Sequence, residues 1–412
     1  MWWENEYLKV RDRKLYFGRR RAERLAGEYG TPLLVYSRRQ ILSNYHRLKR
    51  IFADCGPREL RICYAMKANP HRKILEMLRQ QGTWIDAVSP GEVEAALRAG
   101  FPGRRVLFTG TSVSDEDLYR VFGLDGVTVN IDALEQLELM REVKKRFYRG
   151  KEIQVSVRWN PGLGRGFNPR VVTAGKRAPD GTPVKFGVEE DKVLETFERA
   201  ASFGFSPTGL HQHLGSGWTA EDYEVVRQAV ERIIEMAGRV EKAGFNLEFL
   251  DFGGGFGPRY ARNQTAFPLR KYASHICRQV ARSGLSVKAI VLEPGKYLVA
   301  DAGVLLLKVE YLKESYGQLF ACVNSGTYTS LPRPAIYQAY HEIVNCSRLR
   351  SHDMKPVTVA GNLCEAGDVF GKEIPLPVPK RGNILAVLFA GAYGRSMAST
   401  FNLRDIPREI FI

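Results

Sequence analysis

The sequence predicts an α/β protein in which a (β/α)8 TIM-like barrel, residues 31–295, is followed by a mainly β domain, residues 296–412. Two observations carry this prediction. Short β-rich runs alternate with amphipathic helical stretches up to about residue 295, and that alternation is lost afterwards. With 412 residues, of which 44% are hydrophobic and 26% charged, the chain is long enough to bury two such cores. We expect residues 1–30 to join the β domain.

Eight β-rich runs are the candidate barrel strands. They are ICYAMK (62–67), WIDAVS (84–89), VLFTG (106–110), VTVNID (127–132), IQVSVRWN (153–160), TGLHQHLG (208–215), LEFLDFGG (247–254) and AIVLEPG (289–295). The clearest helix between them spans residues 219–244, where apolar residues recur at three- and four-residue steps. Thr219 and Asp222 resemble a capping box at its start, and Gly244 supplies a stop. Eight strands alternating with helices are typical of this barrel.

The sequence after residue 296 is β-rich and has one clear short helix, in RPAIYQAYHEI. Runs such as YLVADAGVLLLKVEYLKES and GNILAVLFAGAYG alternate in the manner of strands rather than helices. We therefore expect the second domain to be built mainly from a sheet.

Composition excludes several classes of protein. No apolar run approaches the ~18 residues of a membrane helix, and the N-terminus carries charges where a signal peptide needs an apolar core. We therefore expect a cytoplasmic protein that binds no membrane. The net charge is +16, but its densest clusters, GRRRAER (18–24) and KKRFYRGK (144–151), match no nucleic-acid motif and are interpreted as solvated helix faces. Six scattered cysteines without CxxC spacing predict neither a disulfide framework nor a zinc site.

Polar residues end one predicted strand after another. They are Lys67, Asp86, Arg158, His211 with His213, and Glu293. In such barrels the carboxyl ends of the strands meet at the catalytic face, so these side chains should converge. A lysine in a buried apolar run is costly unless it is paired, neutralised or used covalently. The run Gly253–Gly255 follows the seventh strand and is either a tight turn or an anion-binding nest of backbone N–H groups.

A lysine, a phosphate cradle, a carboxylate and a histidine pair suit pyridoxal 5'-phosphate. The lysine can form a Schiff base with the cofactor aldehyde, and Glu293 can face the pyridine nitrogen. Metal binding by His211 and His213 is the alternative, although no third ligand has matching spacing. We therefore expect no metal.

Seven motifs follow one another in a family-specific order. They are YAMKANP, HQHLGSG, LDFGGGFG, EPGKYL, RPAIYQAYH, GNLCEAGD and GAYGRSMAS. In this order they resemble the alanine-racemase-fold group of pyridoxal-phosphate-dependent decarboxylases, and diaminopimelate decarboxylases most closely. The resemblance covers nearly the whole chain and also implies the C-terminal domain of that group.

The resemblance implies specific cofactor contacts. Lys67 would bind the cofactor covalently, and His213 would stack on its ring. The other implied cofactor-binding residues are Asp86, Arg158, Ser216, Gly255, Glu293, Gly295 and Tyr393. Racemases of this fold place an arginine against the pyridine nitrogen, so a glutamate there implies decarboxylation.

The resemblance also implies a homodimer with composite active sites. Cys364 would come from the partner subunit and protonate the α-carbon after CO2 leaves. The implied substrate-binding residues are Lys296, Arg333, Tyr337, Glu365 and Tyr393. A guanidinium fork fits a carboxylate, and a glutamate fits an ammonium, so the expected substrate is an amino acid at both ends.

Two departures from the family pattern fall on the substrate pocket. Lys296 stands where the family has arginine, and NSGTYTSLPRP (324–334) is one residue longer than the usual segment and lacks its acidic residues. We expect meso-diaminopimelate as substrate, giving L-lysine and CO2 in lysine biosynthesis. The alternatives are decarboxylation of D-ornithine, D-lysine or carboxynorspermidine, or a catalytically silent homologue that acts by binding a partner.

Overall fold

The computed structural model describes residues 1–53, 58–349 and 351–412. It contains two compact units. The barrel unit comprises residues 46–257 and 265–295, and the β unit comprises residues 1–45, 258–264 and 296–412.

The described residues form strands and helices with the following bounds. The strands are β1 (Leu8–Arg11), β2 (Lys14–Phe17), β3 (Arg20–Arg21), β4 (Leu33–Tyr36), β5 (Glu59–Ala65), β6 (Trp84–Ala87), β7 (Val106–Phe108), β8 (Thr128–Ile131), β9 (Gln154–Arg158), β10 (Ser206–His211), β11 (Phe249–Asp251), β12 (Ala289–Leu292), β13 (Gly303–Ser315), β14 (Gln318–Val323), β15 (Ile343–Asn345), β16 (Met354–Ala360), β17 (Val369–Pro377), β18 (Ile384–Val387) and β19 (Arg408–Phe411). The helices are α1 (Ala22–Tyr29), α2 (Arg38–Phe52), α3 (Arg72–Gln80), α4 (Pro90–Arg98), α5 (Asp115–Phe122), α6 (Gln136–Phe147), α7 (Val193–Ser202), α8 (Tyr223–Lys242), α9 (Leu269–Arg282), α10 (Lys296–Val299), α11 (Thr327–Ser330) and α12 (Arg333–Tyr337).

The barrel unit confirms the predicted (β/α)8 fold. Its eight strands close in the order β10-β11-β12-β5-β6-β7-β8-β9, and every pairing is parallel. Several strands end before the predicted residue. Lys67 does not lie in β5 but in a 3-10 turn, Met66–Ala68, just beyond it. The lysine therefore lies beyond the last strand residue, Ala65, at the carboxyl end of the barrel.

Helix α8 has the amphipathic pattern that the sequence predicts. It begins at Tyr223 rather than at residue 219, because Ala220–Asp222 forms a 3-10 turn. The predicted capping box is present: Thr219 and Asp222 each accept from the other's backbone N–H. Its buried residues are Tyr223, Val226, Ala229, Val230, Ile233, Met236, Ala237 and Val240.

An apolar layer fills the barrel below its carboxyl end. It consists of Cys63, Leu107, Phe249, Ala289 and Val291. Gly209 makes room for the Phe249 ring, since a Cβ there would lie 2.2 Å from a ring carbon. This layer separates the polar carboxyl end from the opposite mouth.

The β unit is mainly sheet, as predicted. One sheet runs β15-β18-β13-β14-β16-β17, with β4 pairing β13 and β19, and a second contains β1-β2-β3. Residues 31–45 belong to this unit, although the sequence predicts them at the start of the barrel. The reason is that β4, fully buried, pairs antiparallel with β13 instead of entering the barrel ladder.

Cysteine pairing departs from the expectation in one place. Cys277 is disulfide-bonded, whereas Cys63, Cys322, Cys346 and Cys364 are free. The sixth cysteine, Cys55, lies outside the described residues. Among the described residues, no helix combines the length and apolar character needed to cross a bilayer.

Candidate active site

The strand register brings polar side chains to one level at the carboxyl end of the barrel. His211 of β10 is paired with Arg158 of β9 on one side and with Asp251 of β11 on the other. Asp86 of β6 is paired with Ala65, the last residue of β5. Because successive strands end together, residues far apart in sequence line one site.

Lys67 forms an ion pair with a fully buried carboxylate. Its Nζ donates to Asp86 Oδ2 at 2.5 Å, and its side chain is 35% exposed. Burial and the nearby Glu293 raise the pKa of Asp86, while Lys67 opposes that rise. The lysine is therefore held in place while its amine stays accessible from the mouth of the barrel.

Glu293 is the buried acid at the centre of the site. His211 Nε2 donates to its Oε2 at 3.2 Å, and His213 Nδ1 lies 4.0 Å from the same oxygen. Burial opposes ionisation, but the two histidines and Lys67 outweigh it and lower the pKa of Glu293 to about 2. Its other oxygen, Oε1, is buried without a hydrogen-bond partner.

His213 is a neutral acceptor. The backbone N–H of Gly254 donates to its Nδ1 at 3.2 Å, so the proton of the ring is on Nε2. Burial lowers the pKa of His213 to about 3, against the opposing effect of Glu293. The imidazole therefore presents an uncharged ring to the site at neutral pH.

The glycine run after β11 packs too closely for side chains. A Cβ on Gly254 would lie 2.2 Å from the Glu293 carbonyl oxygen, and Gly255 has a φ of +108° with Trp218 2.3 Å from its ideal Cβ. The Gly253 N–H donates to Asp251 Oδ1 at 2.8 Å. Asp251 and His213 thus accept the N–H groups of Gly253 and Gly254, so within this run Gly255 is the residue left for an anion contact.

Three other predicted cofactor residues of the barrel unit have distinct surroundings. Arg158 is buried, with Nη1 3.4 Å from Asp132 Oδ1 and the Phe186 ring 4.6 Å from its guanidinium carbon. Ser216 is partly exposed and follows the strand that bears His211. Gly295 packs on β5, where a Cβ would lie 3.0 Å from the Ala65 carbonyl oxygen.

A second set of predicted residues gathers in the β unit around Tyr260. The ring of Tyr260 lies 4.9 Å from the Arg333 guanidinium carbon and 5.9 Å from Lys296 Nζ. Lys296 is also 5.9 Å from the Tyr393 ring. Burial and the charge of Arg333 hold the pKa of Lys296 well below its usual value. We call Tyr260, Lys296, Arg333, His341 and Tyr393 the cation cluster.

Cys364 and Glu365 lie on an exposed loop of the β unit. The Cys364 N–H donates to Asn402 Oδ1 at 2.8 Å, and Glu365 accepts from the Gly367 N–H at 3.1 Å. Tyr337, at the end of α12, is partly exposed.

The atypical segment 324–334 is anchored to this loop. Asp368 is buried and accepts from the N–H and hydroxyl of Thr327 at 2.6 and 2.8 Å, and from the Leu363 N–H at 2.8 Å. Thr327 begins α11, so one carboxylate ties the start of that helix to the segment bearing Cys364. The altered sequence is thus coupled to the predicted proton donor.

Comparison with known proteins decides the family. Residues 38–300 match the profile of the pyridoxal-dependent decarboxylase family, pyridoxal binding domain. A diaminopimelate decarboxylase from Methanothermobacter thermautotrophicus is 39% identical, covering 98% of this chain and 92% of the relative. The chain belongs to the pyridoxal-dependent decarboxylases.

Other relatives of this decarboxylase are similar to it over nearly the whole of both chains. The diaminopimelate decarboxylase of Zymomonas mobilis is 32% identical, over 94% of this chain and 89% of the relative. The crystal structure of diaminopimelate decarboxylase from M. jannaschii in complex with L-lysine has a TM-score of 0.90 at 29% identity, covering 99% of this chain and 93% of that one. The predicted family, fold and cofactor are confirmed, and the protein is a pyridoxal-phosphate-dependent carboxy-lyase.

The geometry of the decarboxylase fits this cofactor. Glu293 offers an ionised buried carboxylate with one oxygen unpartnered, Lys67 offers an amine, and Gly255 offers a backbone N–H that is not used in the bonds of Gly253 and Gly254. These are the three groups that a pyridine nitrogen, an aldehyde and a phosphate require.

Sequence reasoning missed three residues of these clusters. Asp251 ends β11, but it was not singled out among the polar strand ends. His341 belongs to the quoted motif RPAIYQAYH but was given no function, although its place in that motif was a signal. Tyr260 had no signal in the sequence, because only the topology brings residues 258–264 into the β unit.

Proposed function

We propose that this enzyme decarboxylates meso-diaminopimelate to L-lysine and CO2, as a cytoplasmic homodimer in lysine biosynthesis. The observation that carries the substrate is the buried Arg333 beside Lys296, both within reach of the Tyr260 ring. Two cations in one buried cluster favour a substrate with a carboxylate beyond the one that leaves. Relatives 39% and 32% identical over nearly the whole chain are diaminopimelate decarboxylases.

The cofactor residues are assigned to the barrel clusters. Lys67 would hold the cofactor covalently, with Asp86 orienting its amine, and His213 would stack on the ring. Ser216, Gly255, Gly295 and Tyr393 would contact ring or phosphate, and Arg158 would support the site from β9. When bound, pyridoxal phosphate supplies an electron-withdrawing ring that accepts the electron pair left by CO2.

Glu293 would keep the pyridine nitrogen positively charged. Its low pKa means that it stays ionised, and its free Oε1 can face the nitrogen while His211 holds Oε2. A carboxylate at this position strengthens electron withdrawal, which favours loss of CO2.

The same acid also belongs to a trio that could bind a metal ion. Ligand atoms of His211, Asp251 and Glu293 all lie within 4.8 Å of one another. This set differs from the metal-binding pair, His211 and His213, that the sequence suggests as an alternative. We assign Glu293 to the cofactor, because the chain belongs to the pyridoxal-dependent decarboxylases and the oxygen Oε1 is available to the ring nitrogen. In this assignment, His211 holds Glu293 by a hydrogen bond to Oε2, and Asp251 holds the glycine run by accepting from the Gly253 N–H.

The distal end of the substrate is assigned to the substrate-binding residues that the motifs imply. Arg333 and Lys296 would bind the distal carboxylate, Glu365 the ammonium beside it, and Tyr337 and Tyr393 would line the pocket. Cys364 would come from the partner subunit as proton donor to the α-carbon, which is why we propose a dimer with composite sites. Its exposure on a loop suits a group that acts across a subunit interface.

The substrate is tested by comparing CO2 release side by side. The wild-type enzyme should release CO2 from meso-diaminopimelate faster than from D-lysine, D-ornithine or carboxynorspermidine. The second candidate, a polar amino acid of that group, is favoured by Lys296 and by the rebuilt segment 324–334. Absence of CO2 from meso-diaminopimelate, with release from one of the others, would transfer the assignment to that substrate.

Lys296→Arg should change how the activity depends on pH. Lysine is charged only below its pKa, which is lowered here, whereas arginine stays charged. As pH rises through the pKa of Lys296, the wild type should lose carboxylate binding and the variant should not. The ratio of variant to wild-type kcat/KM for meso-diaminopimelate should then rise by up to about tenfold per pH unit.

The same variant tests the pocket at neutral pH. If meso-diaminopimelate is the substrate, Lys296→Arg should improve its turnover or barely change it, since arginine restores a bidentate fork. A ratio that stays flat with pH would show that Lys296 does not bind the substrate carboxylate. Lys308→Arg is the control, because that lysine is 43% exposed and pairs with Glu310.

A further inference from the structure

His341 contacts Arg333 through a defined hydrogen bond. Arg333 Nη1 donates to His341 Nε2 at 3.1 Å, and both side chains are 2% exposed. Arg333 begins α12, and Gln338 follows the helix in the left-handed conformation with a φ of +52°. That turn reverses the chain and returns His341 to the side chain eight residues before it.

The other ring nitrogen of His341 fixes its tautomer. Nδ1 donates to the Leu388 carbonyl oxygen at 2.8 Å, and a carbonyl can only accept. Nε2 therefore carries a lone pair and accepts from Arg333. Burial and the charge of Arg333 lower the pKa of His341 to about 3, so the ring stays neutral at neutral pH. It is a hydrogen-bond acceptor facing the Arg333 guanidinium.

Tyr260 fixes the face of the guanidinium while His341 fixes its edge. The Tyr260 ring lies 4.9 Å from the Arg333 guanidinium carbon and meets the His341 ring edge-on, at 5.7 Å and 84°. A guanidinium has five donors in one plane, and the hydrogen bond to His341 uses one of them. Face and edge contacts both constrain how that plane is turned.

We infer that His341 is a positioning residue that sets the orientation of the Arg333 guanidinium and so makes the enzyme select ligands with a distal carboxylate. The inference rests on the proposed function, in which Arg333 binds that carboxylate. A bidentate pair with a carboxylate depends on orientation, whereas attraction of a point charge does not. Loss of His341 should thus weaken the binding of ligands with a distal carboxylate more than the binding of ligands without one.

Two substitutions at His341 separate its two hydrogen bonds. The amide of His341→Asn can reach the Leu388 carbonyl but not Arg333, and the longer amide of His341→Gln can accept from Arg333 but loses Leu388. Each variant loses one buried hydrogen bond, so their losses of thermal stability should be similar. They differ in which neighbour of His341 is released.

The ligands are L-lysine and cadaverine, titrated calorimetrically into the holoenzyme. They share a five-carbon diamine chain, and only L-lysine carries the carboxylate that remains after one end of diaminopimelate is decarboxylated. We expect His341→Asn to weaken L-lysine by about tenfold or more and cadaverine by less than about threefold. His341→Gln should keep the wild-type ratio of the two affinities.

Equal weakening of both ligands by His341→Asn, or a changed affinity ratio in His341→Gln, would overturn the inference and make His341 a structural residue only. If His341→Asn does not fold, His341→Ala in the wild-type and Arg333→Ala backgrounds still tests it: the loss of L-lysine affinity relative to cadaverine should vanish in the Arg333→Ala background, and additive losses would overturn the inference. CO2 release from meso-diaminopimelate by the wild type tests the proposed function separately.

Discussion

Lys67→Ala should abolish CO2 release and covalent attachment of the cofactor. Removing the group that makes the covalent bond should lower kcat by at least about a thousandfold, as loss of a covalent catalytic group does. In the wild type, borohydride reduction of the holoenzyme followed by peptide mapping should place the pyridoxyl label on Lys67. Asp86 holds the Lys67 amine at 2.5 Å while leaving the side chain 35% exposed, so the cofactor can reach it.

The control for this prediction is Lys288→Ala. Lys288 is 67% exposed, pairs with Glu248 at 3.3 Å and precedes β12 at the opposite mouth of the barrel, so its loss should leave activity and label unchanged. Lys296 is the informative rival, because burial and the charge of Arg333 lower its pKa and so favour the nucleophilic neutral amine more than in an exposed lysine. A label on Lys296 would refute the assignment of Lys67 and the catalytic scheme with it.

Cys364→Ala should preserve the visible absorption of the bound cofactor but slow turnover by at least ~100-fold. That factor is the low end for removal of a general acid. Cys364 is exposed and held by its backbone to Asn402, so the substitution should not disturb the fold. Cys322→Ala is the matched control, since Cys322 is a second free cysteine of the β unit and has no proposed function.

Mixing the inactive variants tests the composite site. A hybrid dimer of Lys67→Ala and Cys364→Ala chains contains one intact site if each site takes Cys364 from the other subunit. Random exchange should then restore up to about one quarter of wild-type activity, because half of the dimers are hybrids with one working site of two. No recovery in dimers verified as mixed would mean that each site is built from one chain.

The sequence predicted the barrel because its pattern is local. Strands of three to seven residues, rich in apolar side chains, alternate with helices such as α8, whose apolar face and cap are encoded within a few turns. Motif order predicted Lys67, His213 and Glu293 as neighbours, and the structure brings them together at the carboxyl end of the barrel. Their individual functions stay predictions until they are tested.

The sequence did not predict where several elements pack. Residues 31–45 continue the chain into the barrel, yet β4 pairs with β13, some 270 positions later. A buried, all-apolar strand fits a parallel barrel and an antiparallel sheet equally well, so periodicity cannot choose between them. The sequence likewise predicts Lys67 in a strand, although β5 ends at Ala65. Where a strand ends depends on hydrogen bonds to its neighbouring strand, which the local sequence does not show.

The sequence by itself determined the alternation of strands and helices, the polar strand ends and the family. These depend only on local residue patterns and on the order of motifs along the chain. Only the tertiary structure decided that Tyr260 lies on Arg333, that His341 is a neutral acceptor between Arg333 and Leu388, and that Glu293 stays ionised beside His211. Contacts across such sequence separations depend on packing, and the charge of a buried group depends on the neighbours that packing supplies.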